Sequence, residues 1–382
     1  MNRNRDAFPS LQHGIYLASH SLGPMPSGVR QSYEQYQSQW LGHGDEDAWM
    51  SSWWMLASEV GDLYASIIGA PPESVLPLPN ATLAMATAAS CLDYQRRPKV
   101  VTTALDFPSM GYVWGAQRRL GAEITVVPSD DGVHVNLDRL LESIDEQTGI
   151  VAVSHTTYCS SHRLDAAAVV RRAHEVGALA LLDVYQSAGV APVDASAWGA
   201  DFLVGGSIKW LCGGPSCGYL YVRPELIAAL EPRLTGWFAH ENPLGFEHAD
   251  IRYDKTIRRF SQGTPSIPAL YSVGPGMRII RDLGVDAIHR ESARRTQRIV
   301  DAALERGWRV NTPTDASRRG GTVMIGFEDP ERVAHQLRSE RVVVDWRPGI
   351  GIRISPHFFN TDEEIDAAME IIARVTDRDA GA

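Results

Sequence analysis

The stretch Leu181–Gly218, LLDVYQSAGVAPVDASAWGADFLVGGSIKWLCGGPSCG, decides how this chain is read. Leu181 and Leu182 run straight into an acid, Asp183. A second apolar run, Asp201-Phe-Leu-Val-Gly205, follows. A lysine, Lys209, lies just past it between Ile208 and Trp210, and Gly213 and Gly214 close the segment. Short apolar runs bounded by turn formers read as buried strands. An acid ending one strand and a lysine just past the next are placed at the carboxyl rim of a sheet, where ligands bind in open α/β folds.

That pairing suits pyridoxal phosphate (PLP): a lysine amine forms a Schiff base with the aldehyde, and an acid serves the pyridine nitrogen. The ring draws electrons only while its nitrogen keeps a proton, and a buried carboxylate beside it raises that nitrogen's pKa. Desolvation by Ile208, Trp210 and Leu211 favours the neutral, nucleophilic amine. Singly, a loop lysine and a helix-capping acid are commonplace; the pairing carries the reading.

The rest of the chain sets bounds. At 382 residues it is long enough for one large domain with a full core and a smaller one. A net charge of -10 argues against nucleic acid or an anionic membrane, which need a basic face. Cys91, Cys159, Cys212 and Cys217 form neither a disulfide framework nor paired zinc spacing. The 12 histidines show no H-x-x-x-H or H-E-x-x-H pattern, so no metal is expected. The opening MNRNRDAFPS lacks an apolar core, and no run is long enough to span a bilayer. The expectation is a cytoplasmic protein.

Strands and helices alternate through the first two thirds. Strands are expected at 99–103, 123–127, 150–154, 178–182, 201–205 and 219–222, with helices at 112–120, 137–144 and 166–176 between them. This predicts an α/β fold whose mostly parallel sheet is covered on both faces. Phe107, His155, Asp183, Ser207 and Lys209 all follow strand ends. Asn80-Ala81-Thr82 opens an alanine-rich helix whose free N–H groups could seat a phosphate. Residues 27–69 read as helical, rich in tryptophan and interrupted at 42–47. The tail from Gly321 reads as a small α+β unit. We expect an N-terminal arm over 1–30, a large domain over 31–267 and a small domain over 268–382.

Several motifs in order resemble the class V aminotransferase group of fold-type I PLP enzymes, most closely the kynureninases. These are Gly14-Ile-Tyr-Leu with Ser21-Leu-Gly, Phe107-Pro-Ser109, Leu164-Asp165, Asp183, Ser187-Ala-Gly189, Lys209-Trp-Leu with Gly213-Gly-Pro215, and Gly236-Trp-Phe with His240. The resemblance implies a three-layer large domain with a small α+β domain. It implies that Lys209 carries the cofactor and moves protons at the substrate α-carbon, and that Asp183 pairs with the pyridine nitrogen. Phe107 would stack on the ring, Gln186 would contact its phenolic oxygen, and Ala81, Thr82 and Ser207 would hold the phosphate. Trp237 and Thr264 would reach the neighbouring subunit's phosphate, implying a homodimer. Arg353 would bind the substrate α-carboxylate, a bidentate task that guanidinium suits. Ser21 and His43 are further substrate-side candidates.

The departures bear on the reaction. Ile208 stands where kynureninases carry tyrosine, Tyr185 where a small residue is usual, and Met110 where they carry an acid. Gln186 is similar to the cysteine desulfurases, yet residues 307–353 contain no cysteine to carry a persulfide. The expectation is an enzyme acting on an α-amino acid through a PLP aldimine, with kynureninase-like C–C hydrolase or lyase chemistry. Amino transfer, β-elimination at a C–S bond and oxidative deamination are the alternatives. A catalytically silent binding protein on the same scaffold is the alternative of another class; the presence of both Lys209 and Asp183 weighs against it.

Overall fold

A computed structural model describes residues 2–248 and 250–377. Seven apolar runs become strands of one sheet: β1 (Val75–Leu78), β2 (Lys99–Thr103), β3 (Glu123–Val127), β4 (Thr148–Ser154), β5 (Leu179–Asp183), β6 (Phe202–Gly206) and β7 (Gly218–Val222). Their spatial order is β1-β7-β6-β5-β4-β2-β3. The ladders from β6 through β3 are parallel, and β7 runs against both its neighbours.

Such strands are buried on both faces, which is why they are apolar throughout. Side chains alternate across the sheet. Val153, Leu182 and Leu203 enter one core, with Tyr64 of α2 (Trp54–Ile67), Val169 of α5 (Ala166–Glu175) and Met277 of α6 (Ile267–Leu283). Ala152, Leu181 and Val204 enter the other, with Met85 of α3 (Ala81–Ser90) and Trp114 of α4 (Pro108–Ala116). The result is the expected three-layer large domain.

A second sheet has order β10-β11-β9-β8 and is antiparallel throughout: β8 (Arg309–Val310), β9 (Val323–Gly326), β10 (Asp345–Arg347) and β11 (Gly351–Ile354). Ile299 of α7 (Val285–Glu305), Leu337 of α8 (Pro330–Ser339) and Ile372 of α9 (Asp362–Asp377) pack with Ile325 and Ile352 in its core. The arm joins this unit: Ile15–Tyr16 pairs in parallel with Val342–Val343, and Phe8 packs on Phe358 and Phe359.

Two local expectations change. The interruption expected over 42–47 is absent: α1 runs unbroken over Gly28–Ala48. The irregularity falls instead on a π-turn, Trp49–Trp53, before α2. An extra residue per turn re-aims side chains; here Trp53 stacks on Tyr36 at 5.7 Å and meets Trp49 edge-on at 5.4 Å. Strand β1, which contains Pro77, is not among the expected strands. It pairs on one side only, with β7, and an edge strand tolerates a proline.

The arm also reaches the turn after β6. Gly23 N–H donates to the Ile208 carbonyl at 2.7 Å. A Cβ on Gly23 would lie 2.2 Å from the Lys209 carbonyl oxygen and 2.9 Å from Cys212 Cα. Backbone cannot yield as a flexible side chain can. Gly23→Ala should therefore cost about 1–3 kcal/mol in urea unfolding. Gly111→Ala, on α4 with no atom within 4 Å of its Cβ position, should cost nothing. Equal stability of the two variants would contradict this packing.

Candidate active site

Strand register brings the acid and the lysine together. Asp183 is the last residue of β5, paired with Ser154 on one side and Val204 on the other. Its side chain is 7% exposed and faces a cavity of about 230 Å³ at the carboxyl ends of the strands. The Oδ1 oxygen accepts the Tyr185 N–H at 2.8 Å. Oδ2 has no hydrogen-bond partner among the described residues. Burial raises the Asp183 pKa to about 6, although the Tyr185 N–H and Lys209 both pull it down.

Lys209 sits in a turn that several groups fix. Gly213 N–H donates to the Ser207 carbonyl at 2.9 Å and Cys212 N–H to the Lys209 carbonyl at 3.1 Å. Beneath it Trp210 is wholly buried; its indole N–H donates to Gln186 Oε1 at 3.0 Å, and its carbonyl meets His357 Nε2 at 2.8 Å. Lys209 Nζ lies 4.3 Å from the Tyr185 ring centre and 5.8 Å from that of Phe107. Burial lowers its pKa from 10.5 to about 8, with Asp183 opposing and Arg353 and Arg347 assisting. That shift raises the neutral-amine fraction at neutral pH by a few hundredfold, on the order of tenfold per pKa unit. The chain has three lysines, and the other two are unsuited: Lys99 is paired with Asp145 at 2.6 Å and Lys255 is exposed.

The roof and the anion seat follow from local structure. Phe107 precedes Pro108 at the start of α4, stays extended and 44% exposed, and meets Tyr158 edge-on at 5.1 Å. Asp106 anchors that loop by accepting the Thr103 N–H at 2.7 Å and the Ser154 N–H at 2.6 Å. At the start of α3 the Asn80 carboxamide oxygen accepts the Leu83 N–H at 2.8 Å. The N–H groups of Ala81 and Thr82 have no partner among the described residues, and both residues line the cavity. Gly218 admits this helix end: a Cβ there would lie 2.6 Å from the Ala81 nitrogen. Two free N–H groups and a hydroxyl at a helix N-terminus form a phosphate seat. Amine, acid, aromatic wall and anion seat thus surround one cavity, and the set fits PLP.

The predicted residues divide accordingly. Lys209, Asp183, Phe107, Ala81, Thr82 and Gln186 line the cavity. Ser207 does not; its hydroxyl lies 2.9 Å from the Gly214 carbonyl and 3.1 Å from that of Cys217. His155 alternates to the far face of β4 and packs on Trp198 at 4.7 Å. Arg353 stands behind the lining. It forms a two-point ion pair with Asp345 and donates from Nη1 to the Tyr158 carbonyl at 3.3 Å. Ser21, Trp237 and Thr264 lie outside the lining, the last two toward solvent. His43 lies on α1, and its side chain is outside the described residues.

Sequence reasoning missed Asp106, Ser154, Thr156 and Tyr158. A sequence cue existed for Asp106, which directly precedes Phe107. It also missed the partner of Arg353. Asp345 is held by His20 Nε2 at 2.7 Å as well, and His20 Nδ1 meets Ser355 Oγ at 2.6 Å. No sequence spacing announces a contact over 325 positions.

Fold and site together define a PLP-dependent enzyme of fold type I. The chain matches the Aminotransferase class-V family over residues 15–367, and it belongs to that family. It is 32% identical over 376 residues to an uncharacterized aminotransferase, YcbU, of Bacillus subtilis, covering 97% of each. It is 28% identical over 394 residues to a kynureninase of Pseudomonas fluorescens, covering 98% of this chain and 92% of that one. Among solved structures it is similar to C-DES, a cystine C–S lyase. The C-DES structure with glycine covalently linked to PLP gives a TM-score of 0.87 at 18% identity, over 98% of this chain and 99% of that one.

If Lys209 is the amine that captures the cofactor, its lowered pKa sets a pH dependence for that step. A neutral amine attacks the aldehyde, and Lys209 loses its proton as pH rises through about 8. The rate at which cofactor-free protein takes up PLP, followed by stopped-flow absorbance, should climb to about pH 8 and then level off. A rate still rising toward 10.5, the ordinary lysine value, would show that burial does not perturb this amine.

Proposed function

We propose that this PLP enzyme acts on a free α-amino acid and cleaves its Cβ–Cγ bond hydrolytically, as a kynureninase does. The observation that carries the amino-acid reading is the placement of the Lys209 amine and the Asp183 carboxylate on one cavity. PLP, when bound, supplies an electron sink for the substrate α-carbon.

The chain's own residues do the rest. Lys209 Nζ takes the proton from the α-carbon and returns it, a role that its lowered pKa suits. Asp183 Oδ2 holds the ring-nitrogen proton. The carboxylate is buried and no described residue donates to that oxygen, so it would be available to a protonated ring nitrogen. The N–H groups of Ala81 and Thr82 take the phosphate. Asp345 grips Arg353 along the Nε–Nη2 edge and Nη1 donates to the Tyr158 carbonyl at 3.3 Å, so the substrate α-carboxylate would take the remaining Nη1 and Nη2 hydrogens. Phe107 would cover the cofactor ring, and Tyr158 beside it adds aromatic surface to the cavity wall, which suits an aromatic side chain on the substrate.

β-Elimination at a C–S bond is the second reading, favoured by Gln186 on the cavity wall. Persulfide carriage on the protein is not part of it, because desolvation raises all four thiols, Cys91, Cys159, Cys212 and Cys217.

A homodimer completes the proposal. Trp237 and Phe246 stack at 6.1 Å on the surface, 41% and 69% exposed, and Thr264 is exposed as well. Exposed aromatic surface of this kind marks an interaction face. A second copy docked there would receive Trp237 and Thr264 at its phosphate seat. Four free cysteines support a reducing, cytoplasmic setting. No helix among the described residues is long and apolar enough to cross a membrane.

The test is product mass after incubating PLP-loaded protein with kynurenine, 3-hydroxykynurenine, cysteine and cystine. The expected products are an anthranilate and alanine from a kynurenine. Pyruvate from the sulfur amino acids, with no anthranilate, would transfer the assignment to the second reading. Arg353→Ala should raise KM for every carboxylated substrate by about tenfold or more, the loss of one charge-assisted pair. An unchanged KM would remove Arg353 from the site.

A further inference from the structure

Tyr185 fills a place where a small side chain would leave the cavity open, and the structure shows what makes room for it. Residues 183 and 185 straddle Val184, which is wholly buried in the core. Alternation therefore sends Asp183 and Tyr185 to the same side, and both line the cavity. The Tyr185 ring extends over Gly206, the last residue of β6: a Cβ there would lie 2.5 Å from Tyr185 Oη and 2.7 Å from its Cζ. Gly206 in turn pairs with Gly218, which abuts the Ala81 nitrogen. The ring thus spans the floor from the Lys209 amine, 4.3 Å from its centre, toward the amino end of α3. The glycine is what lets the ring lie there.

Two further observations point to a ligand above this ring. Phe107 also lines the cavity and also lies within reach of Lys209 Nζ, at 5.8 Å, while making its own ring contact with Tyr158. The Tyr185 hydroxyl has no hydrogen-bond partner among the described residues. A tyrosine placed for packing alone normally ties up its hydroxyl. Burial and the nearby Asp183 carboxylate raise the Tyr185 pKa, so the ring stays a neutral phenol at all working pH values.

We propose that Tyr185 is a cofactor-binding residue: its ring is an aromatic floor under the pyridine ring of PLP, with Phe107 as the roof. The same ring lies 4.3 Å from Lys209 Nζ, within cation–π range of its charged form. With cofactor it contributes face contact with a planar, electron-poor heterocycle, the kind of partner an electron-rich phenol ring favours. Gly206 is then a specificity position as well, since any side chain there would tilt the floor.

The experiment is equilibrium titration of cofactor-free protein with PLP, read by quenching of intrinsic fluorescence, for native protein and for Y185F, Y185L and Y185A. Thermal unfolding of each cofactor-free variant checks that it folds; Y185L fills most of the volume should Y185A be unstable. Phenylalanine keeps the ring, so Y185F should bind PLP within about twofold of native. Leucine and alanine lose it and should bind about tenfold more weakly, the worth of one aromatic face contact. Y185L or Y185A binding as tightly as native would overturn the proposal. Y185F falling as far as Y185A would also overturn it, since the hydroxyl and not the ring would then be the contact. Failure of the PLP assignment itself looks different: the native protein would take up no cofactor.

Discussion

The burial of one amine and one carboxylate at the same sheet rim is the constraint on which the rest depends. Each alone would be costly inside a protein, and each is shifted toward neutrality by the loss of water. Asp183 rises to about 6 and Lys209 falls to about 8, so the two meet near neutral pH with their charges only weakly held. That suits a site meant to be completed by a polar heterocycle. The acid has an oxygen to spare, and the amine is unusually ready to lose its proton. The surrounding structure tolerates this pair because β5 and β6 are parallel neighbours in a sheet covered on both faces.

The lysine turn is held from three sides, which joins the small domain to the chemistry. From below, Trp210 bonds to Gln186 and His357. From the arm, Gly23 packs directly on the turn. From the small sheet, Arg353 and Asp345 lie opposite each other in the β10–β11 ladder, and His20 of the arm closes the network. Gln186 in turn donates to the His20 carbonyl at 3.1 Å. Arm, small sheet and large sheet therefore meet within a few side chains of Lys209. Burial lowers the His20 pKa to about 4, so it stays neutral and serves as a hydrogen-bonding strut rather than a charge.

Much of this was legible in the sequence, for a physical reason. Continuous apolar runs such as 150–154 have few alternatives to a doubly covered strand, and their ends mark where polar residues can meet a ligand. Lys209 and Asp183 are therefore visible as a pair. What was not legible depended on context or distance. Strand β1 contains Pro77, and only the spatial order makes it an edge strand. The π-turn at Trp49–Trp53 follows from aromatic packing against Tyr36, which no local propensity encodes. Tyr185 reads from sequence as an obstacle; Gly206, in the neighbouring strand, turns it into a floor. The Asp345 partner of Arg353 required the β10–β11 register.

The most direct measurement is chemical. Protein loaded with PLP is reduced with borohydride, which makes the lysine–cofactor bond permanent, and the modified peptide is located by mass spectrometry. Three lysines are available, Lys99, Lys209 and Lys255. The account predicts the label on Lys209 alone. A label on Lys99 or Lys255 in its place, or no label on the native protein, would contradict it.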